Sequence, residues 1–387
     1  MKVAVITLQL HTNYGGVLQA FALQRVLESL GNDVEIIQLD EITPEPEGLN
    51  ALRKLLTRSF RKYVLAHRDV EIFRERRVNR EFPSVGAEFL DFFHKYLNIR
   101  YISSFREIGV SDYDAFIVGS DQVWRPEYNP NLMHSFLDFT WKDSGRPGHL
   151  SSSGKEPAGW EVRRIAYAVS FGCDSWEYTA RQTAHAAILA GRFDALSFRE
   201  NSGADNAVGR LGVAAVTVLD PTMLLGAEEY TGLIESRKDS QEAFEYILDR
   251  TAETEDAVAK LEARLAMPVR RFLAADPRGR EDISLRVQPS VESWIAGIAG
   301  AGFVLTDSFH ACIFSILFHR PFAVVVNRSR GVSRIEWLLG QFGLEDRLVT
   351  GASLPEGSID WEGVDSRLGQ LRAESVEFLK KSLRQDI

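Results

Sequence analysis

The chain has 387 residues, of which 45% are hydrophobic and 26% charged, and its formal net charge is −9. This composition is that of a globular protein with room for two domains, and the negative charge argues against a general nucleic-acid binder. Only two cysteines, Cys173 and Cys312, are present, and they lie far apart. They therefore predict neither a disulfide framework nor a zinc site. The first ten residues are too strand-like for a signal peptide, and we expect a cytoplasmic protein.

The N-terminal region predicts a β-α-β unit. Lys2–Leu8 and Val34–Leu39 are apolar runs typical of buried strands, and an amphipathic helix is predicted between them. Asn13, Gly15 and Gly16 lie where this helix begins. Glycines there let the backbone approach a ligand closely, and the helix amides point at it. These three residues are candidate substrate-binding residues, with a plain strand-to-helix turn as the alternative interpretation.

Residues 51–80 differ in charge from everything around them. They contain ten Lys or Arg residues and three Asp or Glu residues, interleaved with leucines and aromatic residues at roughly helical spacing. One interpretation is a solvated helix face. The other is a basic amphipathic helix that rests on anionic lipid headgroups or on an anionic acceptor, which would place the protein peripherally at the inner face of a membrane.

Polar side chains follow further predicted strands of the first half. The strand at 115–118 is followed by Ser120, Asp121 and Gln122, and the strand at 195–198 ends in Arg199. Because the carboxyl ends of parallel strands meet at one edge of a sheet, we expect these side chains to line a shared cleft. Other strands are predicted at 164–171 and at 216–219, the latter followed by Asp220 and Pro221, and a mobile loop is predicted at 142–159.

The second half repeats this organisation, and we place the domain boundary between residues 235 and 236. Strands are predicted at 244–248, 269–274, 283–287, 303–305 and 322–326, and helices at 257–265, 291–301, 311–318, 333–342 and 366–384. Ser308 and His310 lie between the strand at 303–305 and the following helix, at a position where open α/β sheets bind ligands. A helix-start histidine bonded to a nearby carbonyl is the alternative interpretation of His310. Arg330 and Arg334 are candidate anion ligands, because guanidinium groups suit phosphate and carboxylate.

Six segments together resemble the polysaccharide pyruvyl transferase family over roughly residues 1–345. They are NYGGVLQAFALQ at 13–24, VGSDQVW at 118–124, YAVSFG at 167–172, LSFRE at 196–200, VLDPTMLL at 218–225 and LTDSFHACIFSILFHRPF at 305–322. The resemblance implies an α/β fold with two Rossmann-like domains facing across a GT-B-like cleft. Residues 1–235 would form the acceptor side and residues 236–387 the donor side.

The resemblance also implies a reaction. A pyruvyl group would pass from phosphoenolpyruvate to two hydroxyls of a sugar in a cell-surface polysaccharide, or in its lipid-linked precursor, forming a ketal and releasing phosphate. Phosphoenolpyruvate is then a co-substrate, and no cofactor or metal is expected. His310 matches the family histidine assigned as general acid, and Arg199 matches a donor-binding arginine. Several relatives carry Arg where this chain has Ser308, so we expect Arg330 or Arg334 to take its place.

The chemistry of this reaction asks for the same residue types. Phosphoenolpyruvate carries a phosphate and a carboxylate, so its site needs several cations or amide donors. Its methylene carbon must be protonated, and a histidine with an ordinary pKa of ~6.5 is a suitable acid near neutral pH. Asp307 or a backbone carbonyl is expected to orient the His310 ring. Asp121 is the best candidate for the base, with the departing phosphate as the alternative.

Two other functions fit the same pattern. A GT-B glycosyltransferase that uses a nucleotide sugar would have a similar architecture, with Glu292 or Glu336 as the partner of the ribose. A non-catalytic glycan-binding protein of an envelope-polysaccharide pathway would keep the fold without the donor site. Retention of both Arg199 and His310 favours the enzyme.

Overall fold

The computed structural model describes most of the chain. Residues 44, 46–47, 68–69, 142–161, 174, 236–238, 273, 328–330, 350–353 and 385–387, and the side chains of residues 48–50 and 253, lie outside the described set. The loop predicted at 142–159, Arg330 and the predicted boundary at 235/236 therefore fall wholly or partly outside it.

Strands and helices alternate along the described residues. The strands are β1 (Lys2–Ile6), β2 (Asp33–Leu39), β3 (Ile99–Ile102), β4 (Ala115–Asp121), β5 (Arg163–Val169), β6 (Ala195–Phe198), β7 (Val216–Thr217), β8 (Ala243–Tyr246), β9 (Val269–Arg271), β10 (Phe303–Thr306), β11 (Phe322–Val325) and β12 (Leu348–Val349). The helices are α1 (Tyr14–Ser29), α2 (Gly48–Tyr63), α3 (Arg74–Val85), α4 (Ala87–Tyr96), α5 (Ala180–Ala190), α6 (Asn201–Asn206), α7 (Ala227–Thr231), α8 (Ala252–Glu262), α9 (Ile283–Arg286), α10 (Val291–Gly300), α11 (Phe309–Leu317), α12 (Ser333–Gly340) and α13 (Trp361–Leu383).

These strands form two parallel sheets, one in each half of the chain. The first has the order β3-β2-β1-β4-β5-β6-β7 and the second the order β12-β11-β10-β8-β9, and neighbouring strands pair in parallel throughout. The central strands β1, β4 and β5 are buried along nearly their whole length, as expected when helices cover both faces of a parallel sheet. The predicted fold class, α/β with two Rossmann-like units in a GT-B-like arrangement, is confirmed.

Several predicted elements have different bounds or a different type. The strand predicted at 283–287 is wrong: this segment is the short helix α9, whose start is capped by the Asp282 carboxylate accepting from the Ser284 amide. Helix α8 begins at Ala252 rather than 257, because Thr251 and Thr254 form a capping box there. Residues 51–80 form parts of two helices, α2 and α3, rather than one.

The two halves are joined by a cluster of aromatic rings around Tyr14, at the first position of α1. The Tyr14 ring stacks on Trp294 of the second half at a centroid distance of 5.6 Å and contacts Tyr246 and Phe272 edge-on. Its hydroxyl donates to the Pro289 carbonyl at 2.8 Å. The start of α1, which carries the first predicted binding residues, is thereby fixed against the second sheet.

The C-terminal helix α13 contacts both halves. Near its start, Asp365 pairs with His319 of the second half at 2.9 Å. Further along, Ser375 accepts from the Leu219 amide and Arg372 donates to the Met223 carbonyl, both in the first half. A helix that follows the second sheet in sequence thus packs back against the first.

Helix α3 makes a third connection between the halves. Arg286 donates to Glu81 at 2.9 Å, and the Gln288 amide donates to the Val85 carbonyl at 2.9 Å. Arg77, which is paired with Glu81, also donates to the Arg278 carbonyl at 3.0 Å. Residues 51–80, here called the basic insertion, are therefore bonded to the second half through Arg77. Among the described residues no helix has both the length and the apolar composition that a membrane crossing requires.

We expect replacement of Tyr14 by Ala to lower the free energy of unfolding by about 3 kcal/mol or more, because a buried ring would be lost from a packed cluster. The Tyr14→Phe variant is the matched control: it keeps the ring and loses only the hydrogen bond to Pro289, worth about 1 kcal/mol. Urea denaturation followed by fluorescence measures both. Equal losses in the two variants would show that the ring stacking does not hold the halves together.

Candidate active site

His310 lies in the first turn of α11, directly after β10. The Ser308 hydroxyl caps this helix by accepting from the Ala311 amide at 3.4 Å, and the Ser308 amide donates to Thr306 Oγ1 at 3.0 Å. The strand-to-helix turn predicted from sequence is therefore present. It places the imidazole between the two halves of the chain, where His310 is 7% exposed.

Gly15 of α1 lies directly against the His310 ring. A Cβ atom built on Gly15 would stand 2.0 Å from His310 Nδ1 and 2.4 Å from Cγ. No side chain larger than hydrogen fits there unless the ring moves, so the position requires glycine for close approach. The glycine predicted to approach a ligand thus approaches the predicted catalytic histidine.

The other side of the ring faces Asp220, at the end of the first sheet. His310 Nε2 is 3.7 Å from Asp220 Oδ2, and the described residues offer this nitrogen no hydrogen bond. The same Oδ2 accepts from Ser120 Oγ at 3.1 Å and from Arg199 Nη1 at 3.3 Å. Asp220 Oδ1 accepts from the Thr222 amide and hydroxyl at 3.0 and 2.7 Å. One carboxylate therefore contacts both His310 and Arg199.

Arg199 is enclosed by three carboxylates and an aromatic ring. Its Nη2 donates to Asp121 Oδ1 at 3.0 Å, its Nη1 to Asp220, and its Nε lies 3.5 Å from Glu200 Oε2. The guanidinium carbon is 4.6 Å from the centroid of Phe309, which belongs to the second half. The Arg199 side chain has no exposed surface, so its charge is balanced within the site.

The pKa values of the buried carboxyl groups are shifted in different directions. Burial opposes the charged form of Asp220, but His310, Arg199 and the Thr222 hydroxyl outweigh it and hold its pKa well below the ordinary value. Burial likewise opposes ionisation of Asp121, and Arg199 with His310 holds its pKa below the ordinary value. For Glu200 burial wins over the nearby Arg199, and the pKa is raised. The two aspartates are therefore anionic at neutral pH.

A second guanidinium, that of Arg334 on α12, shares Phe309 with Arg199. Its guanidinium carbon lies 5.9 Å from the same ring centroid. Burial, and then repulsion from Arg199, lower the pKa of Arg334 to about 10. Two cations this close repel each other, so an anion placed between them would be stabilised by both.

A cavity of about 430 Å³ adjoins Arg199, Asp220 and Phe309 and extends toward α12 and α13.

Comparison with known families matches the sequence of this chain to one of them. The family model of polysaccharide pyruvyl transferases matches residues 13–329, a span that contains Gly15, Asp121, Arg199, Asp220 and His310. The chain belongs to the polysaccharide pyruvyl transferase family. No curated protein matches the chain significantly.

Solved structures similar to this pyruvyl transferase family member include enzymes of sugar metabolism, at low sequence identity. The glycotransferase of kitacinnamycin is 11% identical, with 99% of this chain and 94% of that chain covered and a TM-score of 0.42. UDP-GlcNAc 2-epimerases from Neisseria meningitidis and Methanocaldococcus jannaschii are each 10% identical. They cover 98% and 95% of this chain and 94% and 92% of their own, with TM-scores of 0.42 and 0.46.

Most of the other predicted binding residues form hydrogen bonds within the chain. The Asn13 side chain caps α1 by accepting from the Gly16 amide at 3.2 Å. Ser120 is fully buried, and its hydroxyl also donates to the Ala168 carbonyl at 2.8 Å. Gln122 accepts from Arg125 at 3.2 Å. In the described structure these side chains are engaged in local hydrogen bonds, so we infer that they shape the site.

The predicted role of Asp307 is wrong. Its carboxylate accepts from the amides of Leu248 and Asp249 at 2.6 and 3.2 Å and from Asn327 Nδ2 at 2.9 Å. These bonds hold together the loops that follow β8, β10 and β11. The carboxylate that faces the His310 ring is that of Asp220.

Sequence reasoning placed Asp220 and Glu200 at strand ends but assigned neither of them a role in the site. Both lie in the quoted segments VLDPTMLL and LSFRE, directly after predicted strands. The signal that could have found them is the strand-end rule already applied to Asp121 and Arg199. Arg334 was predicted and lies beside Arg199, whereas Arg330 lies outside the described residues.

We expect the Gly15→Ala variant to unfold more easily than the wild type by about 1–3 kcal/mol, because the added methyl group overlaps the His310 ring. Gly16→Ala is the matched control, since its Cβ would meet no atom closer than 3.5 Å and alanine favours a helix over glycine. Urea denaturation compares the two variants. An equal effect at both positions would contradict the tight contact between Gly15 and His310.

Proposed function

We propose that this chain transfers a pyruvyl group from phosphoenolpyruvate to two hydroxyls of a sugar, forming a ketal and releasing phosphate. The observation that carries the proposal is the convergence of His310 and Arg199, from opposite halves, on the single carboxylate of Asp220. An acid and an anion-binding cation are the two groups that the reaction needs. Membership of the family supports pyruvyl transfer as the class of reaction. His310 and Arg199 are groups suited to that reaction.

The donor is proposed to bind through Arg199 and Arg334. Phosphoenolpyruvate presents a phosphate and a carboxylate, and two neighbouring guanidinium groups offer bidentate partners for both. The mutual repulsion that lowers the pKa of Arg334 would be relieved by such an anion. Both arginines contact Phe309. The donor would therefore lie next to His310, the residue that follows Phe309.

His310 is proposed to protonate the methylene carbon of the donor. The proton leaves an imidazole nitrogen, a C–H bond forms, and the neighbouring carbon becomes electron-poor, with its charge shared by the enol oxygen. A sugar hydroxyl then forms a C–O bond to that carbon. Asp220 Oδ2 lies 3.7 Å from Nε2, and the contact with Gly15 limits the rotation of the ring.

Asp121 is proposed to accept the proton of the attacking hydroxyl. In the described structure it is paired with Arg199, which makes it a weak base. Donor anions that engage Arg199 would loosen this pair and raise the proton affinity of Asp121. Donor binding would then make Asp121 a stronger base and would also position the electrophilic carbon of the donor.

The second half of the reaction releases phosphate. The bond between the former enol oxygen and the ketal carbon breaks, the phosphate leaves with that oxygen, and the second sugar hydroxyl forms the new C–O bond. The proton of this second hydroxyl goes to the phosphate. The overall balance is one donor and one diol converted to one ketal and one phosphate. Membership in a family of polysaccharide pyruvyl transferases supports a polysaccharide, or its precursor, as the acceptor, as in exopolysaccharide or capsule biosynthesis.

We expect the His310→Ala variant to release phosphate from phosphoenolpyruvate ~10²–10⁴-fold more slowly in the presence of an acceptor glycan, because a positioned general acid is lost. Its affinity for phosphoenolpyruvate, measured by calorimetry, should stay within a few-fold of the wild type. His319→Ala is the matched control, since that histidine is exposed and pairs with Asp365 on α13. Near-normal turnover without the imidazole at 310 would remove the proposed mechanism.

We expect the Arg334→Gln variant to bind phosphoenolpyruvate about 10–100-fold more weakly, since a hydrogen bond to a charged group contributes about 1.5–3 kcal/mol. The control is Arg320→Gln, which removes a partly buried arginine that pairs with Asp239. Calorimetry with phosphoenolpyruvate and with a nucleoside diphosphate compares donor classes. Binding of the nucleotide alone would favour the glycosyltransferase alternative.

A further inference from the structure

Helix α2 carries a strongly segregated surface. Its sequence, GLNALRKLLTRSFRKY, contains five Lys or Arg residues and no Asp or Glu. On a helical projection of 3.6 residues per turn, Leu52, Leu56, Phe60 and Tyr63 share one side, whereas most of the basic residues lie on the other. An amphipathic helix of a globular protein normally turns such an apolar side toward the core.

In this protein the apolar side points away from the core. The relative exposures are 62% for Leu56, 54% for Phe60 and 73% for Tyr63, and Val64 directly after the helix is 64% exposed. In contrast, Arg58 is partly buried. Large apolar side chains gathered on an exposed helix face mark an interaction surface.

The helix is held on the molecule by its charged side. Arg58 donates to both oxygens of Glu75 on α3 at 2.6 and 2.7 Å and to the Ile72 carbonyl at 2.9 Å. The side chains of Arg53, Lys54 and Arg61 remain exposed, with Arg53 next to the apolar side and Lys54 and Arg61 on the opposite side. Packing within this chain therefore leaves both the apolar side of α2 and several of its cations exposed.

We propose that α2 and the following residues up to Leu65, here called the α2 face, dock on the surface of an anionic lipid bilayer. Apolar and aromatic side chains of a helix that lies in the interface enter the headgroup region, and flanking lysines and arginines pair with anionic lipids. A second copy of this chain is a poorer occupant, because two α2 faces would bring like charges together.

Docking through the α2 face would turn the cleft toward the bilayer. Helix α2 follows the carboxyl end of β2, and the active-site residues Asp121 and Arg199 lie at the carboxyl ends of β4 and β6 in the same parallel sheet. Helix α3, which holds α2, is bonded to the second half. If the proposed function is correct, a lipid-linked acceptor would reach the site from this side; this step alone rests on the proposed function.

The test is co-sedimentation of the full chain with vesicles of phosphatidylcholine alone or mixed with phosphatidylglycerol, without substrates. We expect binding to the anionic vesicles that weakens at high salt. The Leu56→Glu/Phe60→Glu variant should bind them at least tenfold more weakly. Ile188→Glu/Val208→Glu is the matched control, with the same change of charge at side chains 47% and 60% exposed in the first half, and it should bind like the wild type.

Two further measurements decide the outcome. The Arg53→Gln/Arg61→Gln variant should lose the preference for anionic vesicles, and thermal denaturation should show that all variants fold. Equal binding to both vesicle types, equal loss in the control variant, or concentration-dependent self-association that the glutamates abolish would each overturn the proposal. Vesicle binding by a chain that transfers no pyruvyl group would support the docking while contradicting the proposed reaction.

Discussion

The contact between the start of α1 and the start of α11 is the constraint on which the site depends. Tyr14 is held by stacking on Trp294 and by a hydrogen bond to Pro289, and the adjacent Gly15 then lies against the His310 ring. Neither half of the chain could fix the imidazole alone. The catalytic candidate is immobilised by a backbone from one sheet and a turn from the other, which is the preorganisation that proton transfer requires.

A second constraint is the balance of charge around Arg199. Three buried carboxyl groups face one guanidinium, while Arg334 brings further positive charge from the second half. Removing any one group would leave a buried charge without compensation, which is costly in a low-dielectric interior. The cluster therefore links the two halves of the chain and also concentrates charged groups at the candidate site. An incoming anion would redistribute its ion pairs without requiring a change of fold.

Helices α2 and α3 form a further set of contacts, which runs from the second half to the surface of the molecule. Helix α3 is bonded to the second half through Glu81 and Val85, and α2 rests on α3 through the pair of Arg58 with Glu75. The α2 face is thus connected to the second half by a short series of ion pairs and backbone hydrogen bonds. The proposed membrane contact and the proposed chemistry can each be tested without the other.

The sequence by itself determined the elements and their order. Apolar runs predicted the central strands, strand-end polarity selected Asp121, Arg199 and His310, and six ordered segments indicated the family, because these signals are local along the chain. One failure was also local in origin: the cap at Asp282 turned a predicted strand at 283–287 into a helix.

Only the tertiary structure decided which residues meet. Asp220 rather than Asp307 faces the imidazole, Tyr14 joins the halves, and the amphipathic α2 turns its apolar side outward. Each of these depends on contacts between segments far apart in sequence, and periodicity or strand-end position does not specify which side chains pair. The sequence determined that residues 51–80 would be basic and largely helical, and packing on Glu75 decided which side of α2 is exposed.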